Sequence, residues 1–175
     1  MKFDNFDVVS PALFPDEHWN EAEAFGAMTW LWLKSEEHCH TPIQEMAART
    51  LPVLKNGQFA LFSQNGQPVA YIAWASFSPE AETRYLQSDQ GLLSNQDWQS
   101  GDRKWFINWF APLGNTTAVR QIAKQYLFAN DCLRSLYHRG NDKGLRIMLF
   151  KGGYVSLKAK QQWESDHPVT YPPQA

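Results

Sequence analysis

The chain has 175 residues and a mass of 20.1 kDa, which suits one domain with at most an appended segment. A hydrophobic share of 43% against a charged share of 19% excludes wholesale disorder, and a net charge of −2 argues against a general nucleic-acid binder. The net figure hides a split, because residues 1–100 carry five Lys and Arg against thirteen Asp and Glu, whereas residues 101–175 carry eleven against five.

In chain order, residues 1–22 read as an irregular arm broken by Pro11 and Pro15, with compact structure expected from about Glu21. Residues 21–34 are expected to be a helix because of their Glu-Ala-Glu-Ala start, although Met28, Trp30 and Trp32 alternate as in a strand. After a polar break, Thr41-Pro42-Ile43-Gln44 reads as a capped helix start, with the helix stopped near Leu51 by Pro52. Strands 58–64 and 68–77 flank Asn65-Gly66, the preferred pair for a tight type I′ hairpin turn. Ser78-Pro79-Glu80 opens a helix to about Leu86, residues 87–103 are turn-rich, and 104–110 form a strand. Residues 116–128 place Val119, Ile122, Ala123, Tyr126 and Leu127 on one helical face. A strand at 145–150, a Gly152-Gly153 turn and a helix at 157–163 follow, then a loose tail from His167. The order implies an α+β domain over about 23–165 with a mostly antiparallel sheet, a tail at 166–175 and no internal repeat.

Cys39 and Cys132 are too few for a disulfide framework and read as reduced thiols. The acidic N-terminus lacks the basic and apolar regions of a signal peptide, and no window reaches the ~18 apolar residues of a spanning helix. A cytoplasmic protein without membrane insertion is therefore expected.

The runs Gly26…Thr29-Trp30-Leu31-Trp32…His38 and Pro68-Val69-Ala70-Tyr71…Trp74-Ala75, and above all Ser100 to Pro112 (SGDRKWFINWFAP), resemble the RTX toxin-activating lysine acyltransferases, the hemolysin-activating protein family. The resemblance covers roughly Gly26 to Lys160. It implies a fold similar to the GCN5-type N-acetyltransferases. It also implies transfer of a fatty acyl group from acyl carrier protein to an internal lysine of an RTX protoxin in the bacterial cytoplasm, and association into homodimers.

The resemblance puts the family's catalytic histidine at His38 and its catalytic aspartate at Asn108. An acceptor lysine needs such a base, since roughly one amine in a thousand or fewer is neutral at pH 7, a deficit of about 4 kcal/mol. Near the helix start at Thr41, a helix dipole would favour a neutral imidazole. Asparagine can orient an imidazole but cannot accept its proton or balance its charge. Hence His38 with Asn108 as orienter, a substitute acid at Asp102 or Asp97, and a slow or inactive relative are the three readings. His38-Cys39-His40 has no second ligand cluster, so no metal is expected, and Cys39 as an acyl-bearing nucleophile is unsupported. Gly114, Asn115 and Thr116, at a helix N-terminus, are the candidate donor-binding loop with Arg120 and Lys124. These two, with Arg134, Arg139, Lys143, Arg146 and Lys151, form a candidate basic rim for the acidic carrier protein. Asp102-Arg103-Lys104 reads equally as a positioning element or a salt-bridged turn. The tryptophans default to core packing. The rivals are an acyl-CoA-dependent N-acyltransferase acting on another amine and a non-catalytic binding protein that keeps the fold.

Overall fold

The computed structural model describes residues 1–88, 93–137 and 146–170. Leu145, the expected start of the last strand, and the end of the expected tail lie outside these residues. Among them are seven strands and five α-helices, in an α+β arrangement consistent with a GCN5-type acetyltransferase fold. The strands are hydrogen-bonded in chain order and mostly antiparallel. The chain divides into two compact units, one of residues 1–73 with 108–122, the other of 74–107 with 123–175.

In the first unit, β1 (Lys2–Phe3) and β2 (Phe6–Val9) correct the expectation of an irregular arm over those residues. β2 pairs with β3 (Phe59–Gln64), Val8 opposite Phe62, and buries Phe6 and Val8. β3 pairs with β4 (Gln67–Phe77), and the hairpin turn is as expected. Asn65 and Gly66 have φ of 51° and 75°, the left-handed pair a type I′ turn requires. Phe59 to Phe62 and Val69 to Ala75 are buried without alternation, the pattern of strands covered on both faces.

α1 (Glu21–Leu33) starts where expected, with Asn20 Oδ1 accepting from the Glu23 amide at 3.0 Å. Its buried residues, Ala24, Met28, Leu31 and Trp32, follow helical spacing, which settles the choice against a strand. Trp30 is 42% exposed, against the expectation of core packing. α2 (Ile43–Asn56) differs from expectation at both ends. Its N-cap is Pro42 without a side-chain cap bond, so Thr41 does not cap it. The helix also continues through Pro52, because Val53 and Leu54 beyond it are each 1% exposed. Burying both is worth roughly 3–6 kcal/mol, enough to offset the ~3 kcal/mol of an internal proline.

In the second unit, α3 (Pro79–Gln87) is capped by Ser78, whose hydroxyl accepts from the Ala81 amide at 3.2 Å. β5 (Arg103–Phe110) contributes to both units, as does β4. α4 (Thr116–Ile122) passes directly into a π turn, Ala123–Leu127, closed by Phe128 N–H donating to the Ala123 carbonyl at 2.8 Å. This wider winding shifts the helical phase. Leu127 and Phe128 are buried, whereas Tyr126, expected on the apolar face, is 49% exposed.

β6 (Cys132–Leu136) was not legible in the sequence. It pairs in parallel with β5, Trp105 opposite Arg134, after the crossover through α4, and antiparallel with β7 (Ile147–Lys151). α5 (Leu157–Asp166) follows, capped by Ser156 and three residues longer than expected.

Gly152 sits against the end of the π turn, where a Cβ would lie 2.1 Å from the Phe128 carbonyl oxygen and 2.4 Å from that of Ala129. Its amide donates to the Asp131 carbonyl at 2.9 Å, so the backbone cannot simply withdraw. Gly152→Ala is expected to destabilise the protein by about 3 kcal/mol. A urea midpoint unchanged by the substitution would contradict this close approach.

Candidate active site

His38 lies in the turn between α1 and α2. Its backbone is fixed locally, with its amide donating to the Ser35 carbonyl at 3.1 Å and its carbonyl accepting from the Thr41 amide at 3.0 Å. The half-buried imidazole stacks on the indole of Trp32, with ring centroids 4.5 Å apart and planes 28° from parallel. Phe110, at the end of β5, packs beside both rings, 5.5 Å from His38. Phe110 is also 5.5 Å from the Tyr71 ring and 6.1 Å from that of Trp32. Trp32 Nε1–H donates to Tyr71 Oη at 3.0 Å. Burial pushes the Tyr71 phenol up to about 12, so this hydroxyl stays protonated across the physiological range.

Asn108 is half-buried on β5, two residues before Phe110. Strand alternation puts it on the same face as Phe110, the face that reaches His38. Cys39 is half-buried, with Sγ 3.7 Å from the Glu36 carbonyl, and His40 is exposed. Among the described residues, no group of three or more His, Cys, Asp and Glu is arranged to hold a metal ion.

The two candidate substitute acids have other partners. Asp97 is buried and paired with Arg84, and its second oxygen accepts from Ser94 Oγ at 2.8 Å. The Arg84 guanidinium holds this carboxyl below the usual range. A depressed carboxyl stabilises the fold above its unfolded value and loses that contribution as pH falls through the folded one. Wild-type stability should therefore drop below about pH 4, and Asp97→Asn should flatten that limb in urea titrations between pH 2 and 5. An identical acid limb in the variant would refute the assignment. Asp102 is exposed and pairs with His167 Nε2 at 3.2 Å, a contact that also lowers its carboxyl.

In the loop from Ala111 to Asn115, Gly114 adopts φ 86°, and the Asn115 carbonyl receives the Val119 amide at 3.0 Å, starting α4. Arg120 and Lys124 are both exposed. Of the other expected rim residues, Arg146 is exposed, whereas Arg134 and Lys151 are engaged within the fold. Arg134 is buried, donating to Glu82 Oε1 at 2.9 Å. Lys151 Nζ donates to the carbonyls of Gly152 at 3.2 Å and Val155 at 2.5 Å. Arg146 lies over the Tyr137 ring at 5.6 Å. Arg139 and Lys143 lie outside the described residues.

Asp102-Arg103-Lys104 is a salt-bridged segment. Arg103 Nη1 donates to Glu82 Oε2 at 3.0 Å, and Lys104 Nζ to Asp131 Oδ1 at 2.5 Å. Glu82 is fully buried and also accepts from Trp105 Nε1 at 2.8 Å and from the Thr170 amide at 3.1 Å. Arg103 reaches the Pro168 carbonyl at 2.6 Å, and Arg134 reaches the His167 carbonyl. Residues 167–170 of the segment read as a loose tail are thus tied to the buried carboxylate.

Sequence reasoning singled out His38 but not its platform. From the sequence, Trp32 reads by default as core packing, and Trp32, Tyr71 and Phe110 carry the family resemblance without a role at His38. The available signal was a buried indole N–H, which needs an acceptor, and Tyr71 supplies it.

The chain matches the model of the RTX toxin acyltransferase family over residues 17–151. It is 38% identical over 138 residues to a leukotoxin-activating lysine-acyltransferase of Aggregatibacter actinomycetemcomitans, an alignment covering 78% of this chain and 80% of that protein. It is 34% identical over 161 residues to a protein-lysine myristoyltransferase of Escherichia coli, covering 84% and 94%. A protein-lysine myristoyltransferase of Kingella kingae is 33% identical over 137 residues, covering 78% and 81%. The match to the family model takes in the His38 turn, the Trp32–Tyr71–Phe110 cluster around it and Asn108, and with it this chain belongs to the RTX toxin acyltransferase family.

Proposed function

We propose that this protein transfers a fatty acyl group to the side-chain amine of an internal lysine of an RTX protoxin, with His38 as the general base. The observation that carries the reading is the half-buried imidazole stacked on Trp32, in a chain that belongs to an acyltransferase family. The imidazole removes a proton from the lysine ammonium or from the amine as it attacks the thioester carbonyl. The C–N bond forms, the tetrahedral carbon collapses, and the thiol of the donor leaves with a proton. Asn108 orients a polar partner at the site without contributing charge.

The donor in this reading is an acyl-acyl carrier protein thioester. Gly114, Asn115 and Thr116 receive its phosphopantetheine arm, and Arg120 and Lys124 meet the acidic carrier. Exposure of both cations supports that assignment. The chemistry is placed in the cytoplasm, before toxin export, and the protein is expected to pair with a second copy. Among the described residues no helix is long and apolar enough to cross a membrane.

The test is the intact mass of an RTX protoxin expressed with and without this protein. A lysine-borne mass increase of one fatty acyl group is expected, and an unmodified toxin would remove the proposal. Donor identity is read separately, by comparing acyl-acyl carrier protein with acyl-CoA. Charge reversal at Arg120 and Lys124 should weaken carrier binding by roughly tenfold and flatten its salt dependence. Unchanged binding would assign those two residues to solvated surface.

A further inference from the structure

We infer that Trp32, clamped by Tyr71, is a positioning residue that orients His38 and supports its positive charge; this rests on the reading of His38 as the base. Among the described residues, no hydrogen bond uses either ring nitrogen of His38. The contrast is His167, whose Nδ1 faces the Trp163 carbonyl at 2.9 Å and whose Nε2 faces Asp102. His167 is also stacked on an indole, that of Trp163 at 4.8 Å, but both its nitrogens are engaged and it has none to spare. His38 has the same kind of stacking, on Trp32 with Phe110 beside it, but among the described residues neither of its nitrogens is engaged.

A platform orients a ring only if the platform itself is fixed. Trp32 is 6% exposed and Tyr71 is 2% exposed. Rotating the indole would break the 3.0 Å bond from Nε1 to Tyr71 Oη and leave a buried donor unpaired, a costly state. Tyr71 in turn is set by β4, where it stands opposite Leu61 of β3. The chain of support runs from the sheet to Tyr71, to Trp32 on α1, to the imidazole.

The platform also has an electrostatic part. An indole face is electron-rich and attracts a cation stacked on it. When His38 takes the proton of the acceptor amine, its charge develops directly over that face. Asn108 is neutral and cannot balance the imidazolium, so the indole supplies the stabilisation at this ring.

The experiment measures acyl transfer from myristoyl-acyl carrier protein to a lysine-containing RTX toxin fragment. His38→Ala, Trp32→Leu, Trp32→Phe and Tyr71→Phe are compared with wild type. Ring-proton shifts of His38 are read by aromatic NMR on the same proteins. Trp32→Leu should lower kcat roughly tenfold, the rate equivalent of a partly desolvated cation–π contact, while KM for the fragment changes less than about threefold. Trp32→Phe, which keeps an aromatic face, should recover kcat to within about threefold of wild type. The His38 ring protons, shielded by the indole, should move downfield in Trp32→Leu.

If His38→Ala retains full activity, the base assignment fails and the positioning role with it. If His38→Ala is inactive while a folded Trp32→Leu keeps wild-type kcat, only the positioning role is overturned. Should Trp32→Leu not fold, Tyr71→Phe decides in its place. Reduced kcat with displaced His38 ring protons supports the clamp, and wild-type values of both overturn it.

Discussion

His38→Ala is expected to lower the acyl-transfer rate by about 10²- to 10⁴-fold, the range ordinarily lost with a positioned general base. The acceptor then relies on the small fraction of lysine that is neutral in solution. The loss should shrink as pH rises toward the lysine's own value, because the free amine then supplies itself. His40→Ala is the matched control. His40 is exposed, and among the described residues no aromatic ring stacks on it. It should leave the rate within about twofold of wild type, since a solvated surface side chain contributes little. Asn108→Ala should fall between the two, because it removes an orienting amide but leaves the base in place. Single-turnover acylation of a toxin fragment between pH 6 and 9.5 reads all three. Equal losses in His38→Ala and His40→Ala, or none in either, would displace the base from His38.

Glu82→Ala should cost about 3–5 kcal/mol of stability, the largest expected effect outside the site. Glu82 is fully buried, and two guanidinium groups converge on it from side chains only 9% and 5% exposed. Removing the carboxylate leaves two buried cations repelling each other, together with the Trp105 indole N–H and the Thr170 amide deprived of their acceptor. The carbonyls of His167 and Pro168 answer only part of that demand. Glu82→Gln keeps one acceptor oxygen and should lose less. Unfolding by guanidinium chloride, with the slope m checked for constancy, measures both. A Glu82→Ala midpoint equal to wild type would show that the cluster contributes nothing. Loss of the carboxylate should also free residues 167–170, seen as proteolytic clipping there before the rest of the chain is cut.

Much of the order of elements was legible where local chemistry decided it. Asn65-Gly66 specifies its turn through two positive φ values, and Ser78-Pro79 starts α3 with a cap and a fixed φ. The missed strands lacked such local signals. β1 and β2 are short, and β3, which joins their two-stranded hairpin to the rest of the sheet, lies more than fifty positions away. β6 reads Cys-Leu-Arg-Ser-Leu, and Arg134 looks like a surface charge until Glu82 of α3 neutralises it. The same long-range pairing removed Arg134 from the expected carrier-facing rim. At the site, the Trp-rich motifs located His38, but its stacking on Trp32 depends on where β4 and β5 bring Tyr71 and Phe110. Pro52 misled for an energetic reason, since burial of Val53 and Leu54 outweighs the local penalty.

The buried carboxylate also sets an order of events during synthesis. Glu82 leaves the ribosome first and then waits for Arg103, 21 residues later, Arg134, 52 later, and Thr170, 88 later. Until the last of these emerges, α3 cannot close its acidic face without leaving a charge or an amide unanswered. The second unit is therefore a late folder. The first has all its residues once Ile122 has emerged. A nascent chain stalled between those points holds every residue of the first unit while the Glu82 cluster of the second is still incomplete, and that interval is when chaperones and proteases have access to it.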